Sequence, residues 1–377
     1  METIDICKKD EVYLKFDCDR GIAMELSDYF EFFVPGYKFM PAFKNRYWDG
    51  KIRLFNVNSM QIYVGLIGHI KRFAKERSYK LNIHDDIDHT VDIPLNGLEK
   101  YITEENFKPR DYQLRAVAHA IRNNRALILS PTASGKSYII YSLLKYYLRK
   151  PCKKALLVVP TVSLVSQMDG DIKEYSSGKF HEPHLIMSGK EKDDPNAKFY
   201  ISTWQSIFKQ PKSWFDQFDL IIGDEAHLFK ANSLTKIMEK LTDCKYRFGF
   251  TGTLDDTQTN KLVLEGLFGP LMKVISTKEL IDTNTLAEFR IKCLVLKYSD
   301  SERKRLKKIT YQEEMDFLVS NPHRNNFIKN LTLTRKGNIL LLFQYVEKHG
   351  KILYEMINKE SHDDRKVFFV HGGVDGA

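Results

Sequence analysis

The sequence is poor in the features that mark secreted, metal-bound or membrane proteins. Five cysteines, Cys7, Cys18, Cys152, Cys244 and Cys293, are scattered over 377 residues. The number is odd and no two form a C-x-x-C pair. Neither a disulfide framework nor a structural zinc site is expected, and reduced thiols in a cytosol are the natural reading. His69, His84 and His89 show no ligand spacing and read as structural. No apolar run approaches the roughly 18–20 residues that span a bilayer, and no signal-peptide pattern opens the chain. Internal repeats and low-complexity tracts are absent. Negative charge is also scarce: 49 Asp and Glu face 58 Lys and Arg, a formal charge of +9. Such a balance favours a polyanionic partner. With 43% hydrophobic and 28% charged residues, the chain has an ordinary soluble composition and room for two or three cores.

The stretch Arg125–Leu148 organises what is present. Ala126–Leu129 is an apolar run of strand length. Ser130–Ser134 is small, polar and broken by Pro131. Ile139, Ile140, Leu143, Leu144 and Tyr147 then recur at helical spacing. Gly135, Lys136 and Ser137 stand where the helix begins. A strand, a tight loop and a helix start make a phosphate cradle, because free backbone N–H groups and the helix dipole both favour an anion. Lys136 would reach the β- and γ-phosphates and the Ser137 hydroxyl would bind Mg²⁺. The usual pattern opens with Gly five residues before Gly135, where this chain has Ser130.

Residues 1–100 read as a separate α+β module. Glu11–Phe16 alternates like a strand and Gly21–Phe33 resembles a helix. Asp49-Gly50 is a hairpin signal between Arg46-Tyr47-Trp48 and a strand over Lys51–Phe55. Between Gly36 and Lys80 there are ten Lys and Arg against two acids, net +8, nearly the whole excess of the chain. Tyr37, Phe39, Phe43, Tyr47 and Trp48 interleave with Lys38, Lys44 and Arg46, and Lys51 and Arg53 follow. Cations neutralise phosphates and release counterions, and aromatic rings stack on bases or wedge at a junction. Lys38, Lys44, Arg46, Trp48, Lys51 and Arg53 are therefore candidate DNA contacts.

A turn-rich acidic stretch, Ile83–Glu105, reads as a linker. From Phe107 onward, strands and helices alternate. Strands are expected at Ala155–Val159, Lys198–Ser202, Leu220–Gly223 and Tyr246–Phe250, and helices at Val162–Tyr175 and Trp204–Phe208. Alternation of this kind argues a parallel sheet with helices on both faces, with ligands at the carboxyl ends of its strands. Every short polar motif sits at such an end. A second α/β unit starts near Glu288, with strands expected over Phe289–Tyr298, Asn338–Gln344 and Lys366–Val370. Helices are expected there over Asn321–Leu331 and Val346–Lys359. The expected division is 1–100, 101–285 and 286–377.

Ile221-Ile222-Gly223 runs into Asp224-Glu225-Ala226-His227. Adjacent carboxylates at a strand end can divide the labour of phosphoryl transfer. Asp224 would hold Mg²⁺ through its water shell, and Glu225 would orient and deprotonate the attacking water. His227 lies too far along to touch the same phosphate and points to the next motif.

Together these motifs resemble those of superfamily 2 helicases of the DEAH/DExH type. Pro131–Ser137 looks like their phosphate loop, with Ala133 where Gly is usual. Asp224–His227 looks like their acidic motif, and Thr251-Gly252-Thr253 like the motif after it. Pro160-Thr161 with Leu164 and Gln167 resembles the DNA-contacting motif between them. Arg110 and Gln113 resemble the motif whose Gln reads adenine, and Ile339–Gln344 resembles the first motif of the second lobe. A basic module ahead of these motifs is similar to that of T-even phage recombination helicases.

The resemblance implies a RecA-like motor domain plus an incomplete second RecA-like lobe. It implies ATP, held by Arg110, Gln113, Ser134, Gly135, Lys136 and Ser137, with Mg²⁺ on Ser137 and Asp224. Lys136, Asp224, Glu225 and His227 would be catalytic, and Thr161 and Thr203 would touch DNA. It further implies ATP-driven remodelling of branched or duplex DNA and RNA–DNA hybrids in recombination, repair and replication. The setting would be a monomer in bacterial host cytoplasm, with no membrane partner. The family's Gln-x-x-Gly-Arg-x-x-Arg motif has no match after Thr253, so a truncated chain with weak hydrolysis is expected. An RNA-directed helicase and a nucleotide-switched DNA-binding module are the alternatives.

Overall fold

The computed structural model describes residues 2–84, 87, 91–149, 154–187, 191–228, 232–254, 258–288, 290–361 and 365–372. His89, Cys152 and Phe289 lie outside them. The chain divides into two compact units, Met1–Glu288 and Phe289–Ala377.

The first unit opens with β1 (Thr3–Lys8) and β2 (Tyr13–Asp17). They are followed by β3 (Glu31–Phe33), β4 (Lys51–Arg53), β5 (Gln61–Tyr63) and β6 (Lys80–Ile83). A four-stranded sheet runs in the order β5-β2-β1-β6, and β3 pairs with β4 apart from it. Alternation decides the faces. Ile4, Ile6, Leu14 and Phe16 turn inward against Ile22, Leu26, Ile70 and Phe73 of the helices Arg20–Tyr29 and Ile67–Glu76.

The hairpin expected at Asp49-Gly50 takes another form. β4 pairs antiparallel with β3, not with Arg46-Tyr47-Trp48. The preceding residues form a single turn at Tyr37–Phe39 and a short helix, Pro41–Lys44. Pro41 at the first helical position suits a helix and cannot donate to a ladder. The expected Gly21–Phe33 helix likewise stops at Tyr29, and β3 uses its last residues.

The larger sheet contains β7 (Arg125–Leu129), β8 (Ala155–Val159), β9 (His184–Ile186), β10 (Phe199–Thr203), β11 (Leu220–Gly223), β12 (Tyr246–Thr251) and β13 (Leu271–Lys273). Its order is β13-β7-β12-β11-β8-β10-β9, and every ladder is parallel. Both faces are covered. Ala155, Leu157, Val159, Phe199 and Ile201 enter one core with the helices Asp111–Asn123, Lys136–Leu148 and Val162–Tyr175. Leu156, Val158, Tyr200 and Ile221 enter the other, beside Ile237 and Leu267. Period-two apolar strands buried on two sides are the mark of a parallel sheet between helices. Leu98 and Ile102 of the helix Leu95–Ile102 pack into the first of these cores.

The basic module is locked to the domain of the larger sheet. Tyr13 and Tyr63 stack with centroids 5.3 Å apart, and both hydroxyls donate to Glu239 Oε1, at 2.6 and 2.9 Å. The backbone N–H of Glu11 donates to Thr242 O at 2.8 Å. The Glu11 carboxylate pairs with Arg125, the first residue of β7. Gly65 fits against the end of the helix Gln258–Phe268 so closely that a Cβ would lie 2.0 Å from Glu265 O.

The second unit is built from the helices Asp300–Leu306, Tyr311–Ser320, Pro322–Leu333 and Lys351–Glu360, the last entered through a π-turn at Val346–Gly350. The three strands expected here do not form among its described residues: 290–299, 335–345 and 365–371 carry no ladder. Some of their apolar residues stand in solvent, Val295 at 81% and Leu340 at 84% exposure, whereas Phe343 and Phe369 stack on each other at 5.4 Å. A strand is defined by its neighbour's N–H and C=O groups, which an alternating sequence cannot provide by itself. No described helix is long and apolar enough to cross a membrane.

Candidate nucleotide site and nucleic-acid contacts

Because β7, β12 and β11 are adjacent and parallel, their carboxyl ends share one edge. The loop after β7 runs through Ala133, in the left-handed region at φ +65°, to Gly135 at φ +74°. Gly135 caps the helix Lys136–Leu148. The left-handed region is costly for a residue with a Cβ and free for Gly, so Ala133 holds a strained position at the centre of the loop. Ser130 replaces the expected first Gly usefully: its hydroxyl lies 2.6 Å from Ser134 Oγ. Ser134 in turn donates to Pro131 O at 2.6 Å. The two buried hydroxyls pin the loop from within.

Lys136 is drawn across the strand ends. Its Nζ lies 2.8 Å from Asp224 Oδ1 and also pairs with Glu225. Asp224 is buried and accepts the Glu225 N–H at 2.9 Å. Burial pushes the Asp224 carboxyl above the ordinary carboxylate range, and Lys136 pulls it down without overcoming that. Glu225 sits at φ +49°, a second strained position in the same site.

His227 links the acidic motif to β12. Its Nδ1 lies 2.6 Å from Thr251 Oγ1 and 3.4 Å from Glu225 Oε2. Thr251 spends its own proton on Thr253 O at 2.5 Å. The imidazole must therefore be the donor, which assigns the proton to Nδ1.

Gln113 lies beneath the loop. Its Nε2 donates to Ser134 O at 3.0 Å and to Gly135 O at 3.3 Å, and its Oε1 accepts the Arg110 N–H at 2.9 Å. Both ends of the carboxamide are committed to backbone. The Arg110 guanidinium is exposed and donates to Tyr112 Oη at 2.6 Å. Ser137 Oγ meets Tyr175 Oη at 2.7 Å. Sequence reasoning missed Tyr175 because nothing in its local pattern distinguishes it from any tyrosine ending a helix. This donor set fits a magnesium nucleotide. A lysine and two carboxylates converge on a loop whose helix N-terminus favours phosphate, and the Ser137 hydroxyl, held by Tyr175, follows on that helix.

The proposed nucleic-acid contacts fall in two places. Thr161 follows β8, and Thr203 is the last residue of the neighbouring β10. Thr161 is exposed and caps the helix Val162–Tyr175, whereas Thr203 is buried with its hydroxyl 2.9 Å from Ser206 Oγ. The remaining residues lie in the basic module. Lys51 pairs with Glu31, and Arg53 lies 2.6 Å from Asp49 and 3.1 Å from Glu31. Trp48 is half-buried and its indole N–H donates to Lys51 O at 2.8 Å, so it pins the loop. Lys38, Lys44 and Arg46 are exposed and have no carboxylate partner among the described residues.

Known proteins share this arrangement. Residues 3–84 match the family model of the DNA helicase UvsW N-terminal domain, and residues 106–256 match that of the Type III restriction enzyme res subunit. The chain is 34% identical over 379 residues to the ATP-dependent DNA helicase uvsW of Enterobacteria phage T4, covering 97% of this chain and 74% of that protein. It is 26% identical over 237 residues to the DNA 3′–5′ translocase XPB2 of Sulfurisphaera tokodaii, covering 62% of this chain and 50% of that one. A crystal structure of T4 UvsW superposes with a TM-score of 0.67 at 32% identity, covering 99% of this chain and 75% of that one. The sheet order, the phosphate loop and these likenesses agree, and the chain belongs to the UvsW family of superfamily 2 helicases.

Proposed function

We propose that the chain couples ATP hydrolysis to movement on DNA, and that its work is the remodelling of branched DNA in recombination, repair and replication. Fork regression, branch migration of four-way junctions and unwinding of RNA–DNA hybrids are the reactions meant. The observation that carries this reading is Lys136 lying between Asp224 and Glu225, within the same compact unit as a docked basic module. The T4 relative's description as an ATP-dependent DNA helicase supports it. Residues 1–100 would grip DNA, 101–285 would bind the nucleotide, and 286–377 would belong to a second lobe. We further read the chain as a monomer of the bacterial host cytoplasm, in line with a phage relative.

Phosphoryl transfer asks mainly for positioning and charge neutralisation. Lys136 would hold the β- and γ-phosphates, and Ser137 and Asp224 would hold Mg²⁺. Bound Mg²⁺ would supply neutralisation of the charge that develops on the phosphate oxygens. Glu225 would orient a water and take its proton. Its strained backbone fixes the carboxylate beside the Gly252 N–H and His227. Gln113 would act on the nucleotide by bracing the loop, leaving Arg110 at the surface to meet the base. Thr161 would grip the phosphate backbone without regard to sequence.

ATP turnover with and without forked DNA tests the proposal. The chain should hydrolyse ATP faster with the fork, and Lys136→Ala should abolish turnover while leaving DNA affinity within about twofold. DNA-independent turnover would sink the motor reading and leave a nucleotide-switched binding module.

A further inference from the structure

Two rings of the basic module are largely exposed to water. Phe39 is 81% and Tyr47 87% exposed. Their neighbours are packed: Phe33 stacks on Tyr37 at 4.6 Å, and Tyr37 meets Phe43 edge-on at 4.8 Å. Neither Phe39 nor Tyr47 joins any such pair among the described residues. The loop is therefore anchored by one set of aromatics and presents another.

The backbone is built to hold that display. A single turn at Tyr37–Phe39 leads into the helix Pro41–Lys44. Arg46 then takes a left-handed conformation at φ +59°, and the Tyr47 N–H donates to Ala42 O at 2.9 Å. Gly50, at φ +83°, seats the loop so closely that a Cβ would lie 2.3 Å from the Tyr37 ring. The Trp48 indole closes it onto Lys51 O. Beside Tyr47 lies a groove lined also by Lys38, Phe43, Lys44, Arg46, Trp48 and Asp49, and Phe39 adjoins its Lys38 in sequence. The groove's three cations have no carboxylate partner among the described residues, unlike Lys51 and Arg53 immediately beyond, and the Asp49 carboxylate that also lines it is held by Arg53 at 2.6 Å.

We propose that this groove and the exposed Phe39 next to it take unpaired nucleotides, with Phe39 and Tyr47 stacking on bases and Lys38, Lys44 and Arg46 on their phosphates. The inference rests on reading the module as a DNA contact and names which DNA it selects. Cations alone suffice for a duplex, whose bases are already stacked on one another. Two presented ring faces gain nothing from it. A splayed strand offers open π-faces to rings of any base partner, and phosphates to the adjacent cations. The module would thus recognise the single-stranded arms where a duplex divides.

The test measures affinity of the full chain at one salt concentration for three probes: an oligothymidine strand, a fork with two oligothymidine arms, and a blunt duplex. The variant Phe39→Ala/Tyr47→Ala should lose about tenfold or more on strand and fork and less than twofold on the duplex, since one stacked base is worth roughly five- to a hundredfold. Tyr47→Trp should retain the preference. A 2-aminopurine base in the fork arm should be quenched by the parent chain and not by the double variant. Because both rings are exposed, thermal melting should stay unchanged. Equal losses on all three probes, or none, would overturn the inference while leaving the module a DNA contact. Failure of the parent chain to bind any of the probes would overturn both.

Discussion

Gln113 shows how a single side chain governs the phosphate loop. Its carboxamide accepts from Arg110 and donates to the carbonyls of Ser134 and Gly135. Holding those carbonyls fixes the loop that leads into the helix Lys136–Leu148. Gln113→Ala strips the buried Ser134 carbonyl of this donor, while Gly135 O keeps the Tyr138 N–H at 3.1 Å, at a cost of about 1–3 kcal/mol. We expect this as a several-fold or greater rise in the ATP dissociation constant, with DNA affinity unchanged. Gln113→Glu should be worse than Ala, because a carboxylate would oppose two carbonyl oxygens. Calorimetric titration with ATP ranks the three proteins, and equal binding by all would remove Gln113 from the site. Much at this scale was legible from sequence. Gly135-Lys136-Ser137 and Asp224-Glu225 are contiguous, and each ends an apolar strand, so their convergence followed from the topology. The Ser137–Tyr175 contact was not, since 38 residues and a sheet crossing separate the pair. Nor was the commitment of Gln113 to backbone, because its neighbours in sequence do not reveal which carbonyls it reaches.

Among the elements, the junction between the basic module and β7 is the most consequential. Glu11 and Arg125 form a nearly buried ion pair at the root of the strand that carries the phosphate loop. Burial alone would raise the Glu11 carboxyl, but Arg125 and Lys8 outweigh it and hold the group below the ordinary range. A carboxyl lowered in the folded state contributes stability that is fully present above its unfolded value. That contribution is lost as pH falls through the folded one. Acidification below about pH 4.3 should therefore loosen the junction. Glu11→Gln should cost about 2–3 kcal/mol at neutral pH, towards the low end for a broken buried pair because some solvent reaches the carboxylate. Its melting temperature should also fall less steeply with acid than that of the parent chain. Parallel slopes would show that other carboxylates dominate.

The elements also divide by what their sequence could reveal. β8, β11 and the helix Val162–Tyr175 were legible to the residue, because each is long or continuously apolar. β9 and β13 are three-residue strands paired on one side only, too short to carry a period. The runs 290–299, 335–345 and 365–371 show the opposite case. Their alternation reads as strand, yet none of the described residues there finds a ladder partner.

For the whole molecule, the useful quantity is which part of the +9 charge is available to a polyanion. Most of the excess lies between Gly36 and Lys80, but the structure splits that segment. Lys51 and Arg53 already face Glu31 and Asp49 and help to join β3 to β4. Lys38, Lys44 and Arg46 face solvent. Each phosphate neutralised contributes about 0.7–0.9 to the slope of log affinity against log salt. Lys38→Gln/Lys44→Gln/Arg46→Gln should therefore reduce that slope by about 2–3 and weaken binding at low salt, with thermal stability unchanged. Lys51→Gln/Arg53→Gln should do the reverse, altering the slope by less than about 1 while lowering the melting temperature. The loss arises because Glu31 is left without its cations beside the β3–β4 ladder. Affinity measured across a salt series, with melting curves on the same samples, separates the two sets. If the second pair reduced the slope as much as the first triple, DNA would have to displace the internal carboxylates, and the basic face would extend across both strands.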